Sequence, residues 1–110
     1  MPETISFEDW QKLDIRVGTI KEVLPHPNAD KLYILKVDEG KESLRQLVAG
    51  LKESYTQEEL VGKKIVFLAN LEPKKLRGEL SQGMILAAVD EDNISVLTVD
   101  KDIPNNAKVQ

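Results

Sequence analysis

The apolar pattern of the first long segment changes phase part-way along. Apolar residues alternate with polar ones at Ile15 and Val17, and the alternation resumes out of phase at Ile20 and Val23. Alternation of period two is typical of a half-buried β-strand. Gly18 lies at the shift, and a glycine at a one-residue slip indicates a β-bulge that bends the strand. We therefore predict a long, bent first strand, which favours a barrel.

The remaining pattern alternates between strands and short helices. Ser6 is predicted to cap a first helix, and Thr56 with Glu59 forms the capping-box pattern of a second helix that Gly62 ends. Apolar runs predict five further strands, over 31–38, 44–49, 64–71, 84–89 and 94–99. A bulged first strand and a helix between strands three and four match the five-stranded, all-β oligonucleotide/oligosaccharide-binding (OB) barrel. An SH3-like barrel is the nearest alternative, but it has no natural place for the second helix.

The composition is that of one small folded domain. The chain has 110 residues, of which 41% are hydrophobic, so it can bury a core. We expect an N-terminal helical segment at 1–12, the barrel with an added strand at 13–99, and a tail at 100–110. There is no cysteine, no apolar run of the roughly 20 residues that cross a membrane, and no signal-peptide pattern. The default expectation is a cytoplasmic protein without membrane contact.

No sequence pattern indicates catalysis. His26, the one histidine, sits between two prolines, where a surface or packing residue is more common than a general base. The acidic turn at 90–93 lacks the spacing of an EF-hand, and neither a P-loop nor a dinucleotide-binding glycine pattern is present. We therefore expect that the protein is not an enzyme and needs no metal or cofactor.

Positive charge is concentrated between the fourth and fifth predicted strands. Lys74, Lys75 and Arg77 lie within four residues, and Gly78 and Gly83 allow the backbone to bend. We expect a loop on a rigid sheet, which is where binding function is usually found. The whole chain has a net charge of −4, whereas proteins that coat nucleic acid without selectivity are usually basic. A basic patch on an acidic body favours recognition of one shaped anion, and a merely solvated connection is the alternative.

Four segments together resemble the tRNA-binding domain family. They are DIRVGTI at 14–20, HPNADKLY at 26–33, NLEPKKLRG at 70–78 and SQGM at 81–84. The resemblance covers residues 7–99, and the SFEDW start at 6–10 looks most like a methionyl-tRNA synthetase β subunit or C-terminal appendage. It implies an OB barrel that binds the outer corner of tRNA by shape, as a homodimer and as a partner of a synthetase catalytic chain.

The resemblance also implies which residues face tRNA. These are Lys31, Asn70, Lys74, Lys75, Arg77, Ser81 and Met84. The cations would neutralise phosphates, and the amide and hydroxyl groups would bond to phosphate, a 2′-hydroxyl or a base edge. Met84 would support an unstacked base, although it could instead belong to the core, and Lys31 could pair locally with Asp30. Only 5% of residues are aromatic, which favours folded RNA over single strands.

A dimerisation or protein-interaction module with weak RNA contact is the alternative function. The acidic net charge favours it. Some apolar residues also exceed what one small barrel can bury, and surplus apolar surface usually marks an interface. The residues concerned are Leu32, Ile34, Ile94, Val96, Leu97 and Val99. We expect a dimer contact through the N-terminal segment and the region after Asp90.

Overall fold

Strands make up most of the structure, a computed structural model that describes residues 2–110. Within that range, two short helices accompany nine strands, and neither helix is long and apolar enough to cross a membrane. In chain order the elements are α1 (Phe7–Gln11), β1 (Ile15–Pro25), β2 (Tyr33–Asp38), β3 (Arg45–Ala49), α2 (Gln57–Leu60), β4 (Lys64–Leu68), β5 (Lys74–Leu76), β6 (Glu79–Ser81), β7 (Met84–Ile85), β8 (Ala87–Asp90) and β9 (Asn93–Val96).

The long strand β1 is the centre of a five-stranded antiparallel sheet. The strand order is β3-β2-β1-β4-β7, so β1 pairs through its first half with β4 and through its second half with β2. The ladder to β2 is irregular between Ile20 and Glu22. The predicted irregularity in β1 is therefore present, but it lies after Ile20 and not at Gly18, where we expected it.

Gly18 has a different role, because its backbone lies against the core. A Cβ atom at this position would lie 2.5 Å from Val37 Cγ1, 3.0 Å from Phe67 Cε1 and 3.1 Å from the Asp38 carbonyl oxygen. The phase shift in the sequence thus marks a close approach of β1 to the side chains of its neighbours. Only glycine, which has no Cβ atom, leaves room for this close approach.

The sheet curves until β3 meets the segment that leads into β7, and this junction is the barrel seam. The Gln82 amide donates to the Gln46 carbonyl at 2.8 Å, and the Gln46 amide donates to the Gln82 side-chain oxygen at 3.0 Å. The enclosed core consists of fully buried apolar side chains from the barrel strands and from α2, including Ile20, Leu35, Val37, Leu47, Leu60, Ile65 and Phe67. The predicted all-β OB barrel is confirmed.

The capping box predicted for the second helix is present. Thr56 Oγ1 accepts a hydrogen bond from the Glu59 amide at 3.2 Å, and Glu59 Oε1 accepts one from the Thr56 amide at 2.8 Å. These bonds, together with the charge of Lys63, lower the pKa of Glu59. The stability that they contribute is present above the ordinary glutamate pKa and is lost as the pH falls through the lowered one.

The chain after β6 differs from the sequence-based expectation. The predicted fifth strand divides at Leu86, whose amide donates to the Val66 carbonyl while its own carbonyl accepts from the Leu97 amide. Met84–Ile85 therefore stays beside β4, whereas Ala87–Asp90 pairs with β9 in a separate hairpin. The tail at 100–110 returns to β1, where the Val17 amide donates to the Ala107 carbonyl at 3.0 Å.

Replacing Gly18 by alanine is expected to destabilise the barrel by about 1–3 kcal/mol, because the added methyl group overpacks the core. Gly50→Ala is the matched control, since a Cβ there meets nothing closer than Leu32 Cδ2 at 3.9 Å. Urea unfolding should show the loss for the first variant and no loss for the second. Equal midpoints would contradict the assigned role of Gly18.

Candidate nucleic-acid interface

The basic segment, which we expected to be a loop, forms a β-hairpin. Strands β5 and β6 pair in the register Lys74↔Ser81 and Leu76↔Glu79. The two residues of the turn, Arg77 and Gly78, have φ angles of 54° and 92°. Two consecutive residues with positive φ are typical of the type I′ turn, whose twist matches that of the flanking strands. Ladder and turn together hold the cations on a regular scaffold.

The three cations of the hairpin extend in different directions. Directly paired residues share a face of a ladder and successive residues alternate, so Lys74 lies on the face of Ser81 and Lys75 on the face of Leu80. Arg77 occupies the turn. All three cations are exposed, and within residues 2–110 none of them forms a salt bridge. Their charges are therefore open to a ligand, one on each face of the ladder and one at the turn.

Ser81 fixes the hairpin to the barrel. Its side chain is buried, its Oγ accepts a hydrogen bond from the Val48 amide at 3.0 Å, and its hydroxyl donates to the Gly83 carbonyl at 2.9 Å. The hydroxyl is therefore enclosed and used within the fold. The structure gives Ser81 a role in positioning the hairpin, and the ligand contact implied by the resemblance stays a prediction.

Asn70 also has partners within the protein. Its Oδ1 accepts from the Asp14 amide at 2.9 Å, and its Nδ2 donates to the Lys12 carbonyl at 2.6 Å. These bonds join the end of the β4 segment to the connection between α1 and β1. The structure assigns Asn70 first to that junction, although the residue is exposed.

Lys31 and Met84 lie outside the hairpin and are both exposed. Lys31, in the loop between β1 and β2, pairs with Glu53 at 3.8 Å and not with Asp30. Such an exposed pair is worth only about 0–1 kcal/mol, so a phosphate can replace the carboxylate. Met84 opens β7 and is 46% exposed, which excludes the interpretation that it is a core residue.

An apolar groove of about 480 Å³ lies between the hairpin, the end of β3 and the segment that contains β7 and β8. Ligand pockets commonly have about 300–1,000 Å³, so the groove could hold a planar group such as a nucleobase. The side chains that matter for this are Leu71, Leu76, Met84, Val89 and Ile94, with Lys74 among the lining residues.

Several residues that position the hairpin were missed by sequence reasoning. Gln46 donates through its side chain to the Leu80 carbonyl at 2.9 Å, and Gln82 pairs with the backbone of Gln46. His26 is buried and contacts the Leu76 carbonyl. A polar residue that bonds across a barrel seam leaves no periodic signal in a sequence. No cluster of three or more potential metal ligands occurs among the residues that the structure describes.

The geometry defines a class of protein: an OB-type barrel that presents an exposed basic hairpin between its fourth strand and β7. Residues 15–108 match the family described as putative tRNA binding domain. The chain belongs to this family. The match covers the barrel, the hairpin and the tail as far as Lys108.

Individual relatives are similar to this chain over nearly its whole length. The methionine–tRNA ligase of Pyrococcus horikoshii is 60% identical over 108 residues, which are 98% of this chain and 15% of that enzyme. A solved structure described as a MetRS-related protein from the same organism has a TM-score of 0.90 at 34% identity, covering 99% of this chain and all of that one. The chaperone CsaA of Bacillus anthracis has a TM-score of 0.88 at 29% identity, covering 98% of this chain and all of that one. The chain spans about a seventh of the length of the curated ligases it matches.

Replacing Ser81 by alanine is expected to lower the free energy of unfolding by about 1–3 kcal/mol, because the buried Val48 amide loses its acceptor. Ser95→Ala is the control, since Ser95 is exposed on β9. Urea unfolding of both variants checks the prediction. Equal stability of the two would mean that Ser81 does not fix the hairpin.

Proposed function

We propose that the chain is a structure-specific tRNA-binding module that assists an aminoacyl-tRNA synthetase, the methionyl enzyme in particular, as a β subunit or appendage. The observation that carries this proposal is the hairpin, on which Lys74, Lys75 and Arg77 are exposed and form no salt bridge with a carboxylate of residues 2–110. Family membership and the relatives named methionine–tRNA ligase support it. A tRNA partner also agrees with the cytoplasmic location expected from the sequence.

A small number of fixed cations suits a folded RNA. Lysine and arginine bind phosphates wherever these lie, but cations on both faces and at the turn of one hairpin need phosphates on more than one side. A folded tRNA corner supplies such an arrangement, whereas an extended strand does not. Lys31 adds a cation from a neighbouring loop, and the groove beside Met84 accepts one unstacked base. This mode of binding does not read the anticodon.

Arg77→Ala and Lys75→Ala are expected to weaken binding of all tRNAs to a similar extent while leaving the fold intact. Each variant removes one phosphate contact, so the log–log salt slope should become shallower by about one unit. Lys101→Ala is the matched control, because Lys101 is an exposed lysine on the tail. Gel shifts of folded tRNA at several salt concentrations measure the effect.

Single-stranded RNA and duplex DNA serve as competing ligands in the same gel shifts, and the parent chain should prefer folded tRNA. If the hairpin variants bound tRNA as tightly as the parent and the Lys101 control, the hairpin would not be the tRNA site. The alternative function, an interaction module, would then be favoured.

Self-association through the N-terminal segment is the second candidate. A cavity of about 270 Å³ lies between α1 and the tail, lined in part by Phe7, Leu13 and Val109, and Phe7 is 70% exposed. The surplus apolar surface expected from the sequence is smaller than we predicted, because Ile34 and Val96 are buried in this barrel. A two-fold contact between copies would cover Phe7 and its neighbours.

Light scattering at tens of micromolar should give about twice the chain mass of 12.4 kDa. Phe7→Asp should lower this mass towards that of the monomer, because it places a charge in the proposed contact. Val61→Asp, at another exposed apolar residue, is the control and should leave the mass unchanged. A monomer mass for the parent chain would exclude the dimer.

A further inference from the structure

His26 joins two segments that both carry candidate tRNA contacts. It begins the loop between β1 and β2, and the residue is only 5% exposed. Its Nε2 lies 2.8 Å from the Leu76 carbonyl oxygen, and its Nδ1 lies 2.9 Å from the Asn28 amide nitrogen. One imidazole ring thus connects this loop to the strand of the hairpin that precedes Arg77.

The two partners determine where the ring proton is. The Asn28 amide can only donate a hydrogen bond, so Nδ1 must accept and carries no proton. The Leu76 carbonyl can only accept, so Nε2 carries the proton and donates it. Each nitrogen of the neutral ring therefore has one partner, and the two bonds can be removed separately.

The bond to Leu76 holds a part of the hairpin that the barrel seam does not hold. Gln46 and Ser81 fix β6, on the other side of the turn, to β3. Within residues 2–110, His26 makes the one hydrogen bond that connects β5 to an element other than β6. The bond thus gives the strand that precedes Arg77 a contact of its own with the β1–β2 loop.

We propose that His26 is a positioning residue for RNA binding. It fixes Arg77 of the hairpin relative to Lys31, which lies in the same loop as His26. This inference rests on the proposed tRNA-binding function. A buried ring does not touch RNA, but it holds two phosphate-binding groups from different segments at one separation, so less freedom is lost on binding.

Two conservative variants separate the bonds of the ring. In His26→Gln the side-chain amide NH₂ can replace the Nε2–H donor to Leu76, while the acceptor for Asn28 is lost. In His26→Asn the side-chain oxygen can replace the Nδ1 acceptor, but the side chain is too short to reach Leu76. The variants are thus matched: each keeps one bond and loses the other.

The experiment measures the affinity of the full chain and of both variants for folded tRNA, with circular dichroism and urea unfolding as checks of the fold. His26→Asn is expected to weaken binding about two- to tenfold, which corresponds to the loss of one neutral hydrogen bond. His26→Gln is expected to bind within about twofold of the parent, because the hairpin bond is retained.

A second comparison introduces His26→Asn into the Arg77→Ala chain. If His26 acts through Arg77, the double variant should bind no more weakly than Arg77→Ala alone, because the two effects are coupled. Equal losses in His26→Asn and His26→Gln, or parental binding by both, would overturn the positioning role. A parent chain that does not bind tRNA would instead refute the proposed function, so the two failures are distinguishable.

Discussion

The hydrogen bonds of the Arg45 guanidinium group are the interactions on which the barrel seam depends. The group donates two hydrogen bonds to the carboxylate of Glu39, at 2.8 and 3.1 Å, and it lies 5.4 Å from the ring centroid of Phe67. It also donates to the carbonyls of Ala69 and Gln82. Both members of the ion pair are largely buried, with side chains only 17% and 6% exposed. Removing one member of such a pair leaves the other charge buried without its partner, which is strongly destabilising.

The two carbonyls that Arg45 binds lie at the two ends of the segment that carries the hairpin. Ala69 lies just before the basic segment and Gln82 lies just after β6, so one side chain binds both ends of the chain that carries the hairpin. Ser81 and Gln46 extend the same seam along β3. The base of the hairpin is therefore hydrogen-bonded to the barrel, although its cations are exposed. A rigid base and exposed charges suit the recognition of a fixed arrangement of phosphates.

Features with a local cause could be predicted from the sequence. The capping box of α2 needs only Thr56 and Glu59, and the buried face of β2 follows from the alternation of Tyr33, Leu35 and Val37. The phase shift at Gly18 correctly indicated an irregular first strand. It gave the wrong place for the irregularity, because Gly18 is required by close packing against β2 and β4. The apolar pattern of one strand contains no information about such contacts with other strands.

The site was harder to predict, because it depends on contacts between distant residues. The sequence located Lys74, Lys75 and Arg77 correctly on an exposed segment, since charge and turn residues are local signals. It could not show that Ser81 faces inward or that Asn70 bonds to the α1–β1 connection. The sequence alone does not distinguish a polar residue that binds a ligand from one that hydrogen-bonds to the backbone of the protein.

We propose that tRNA binds a hairpin that the barrel holds in one position, and amide chemical shifts of the labelled chain during titration with folded tRNA test this proposal. The largest changes are expected at residues 74–80 and at Lys31, while the amides of α1 and of the paired tail should change little. Changes centred on α1 and the tail, with the hairpin unaffected, would contradict it.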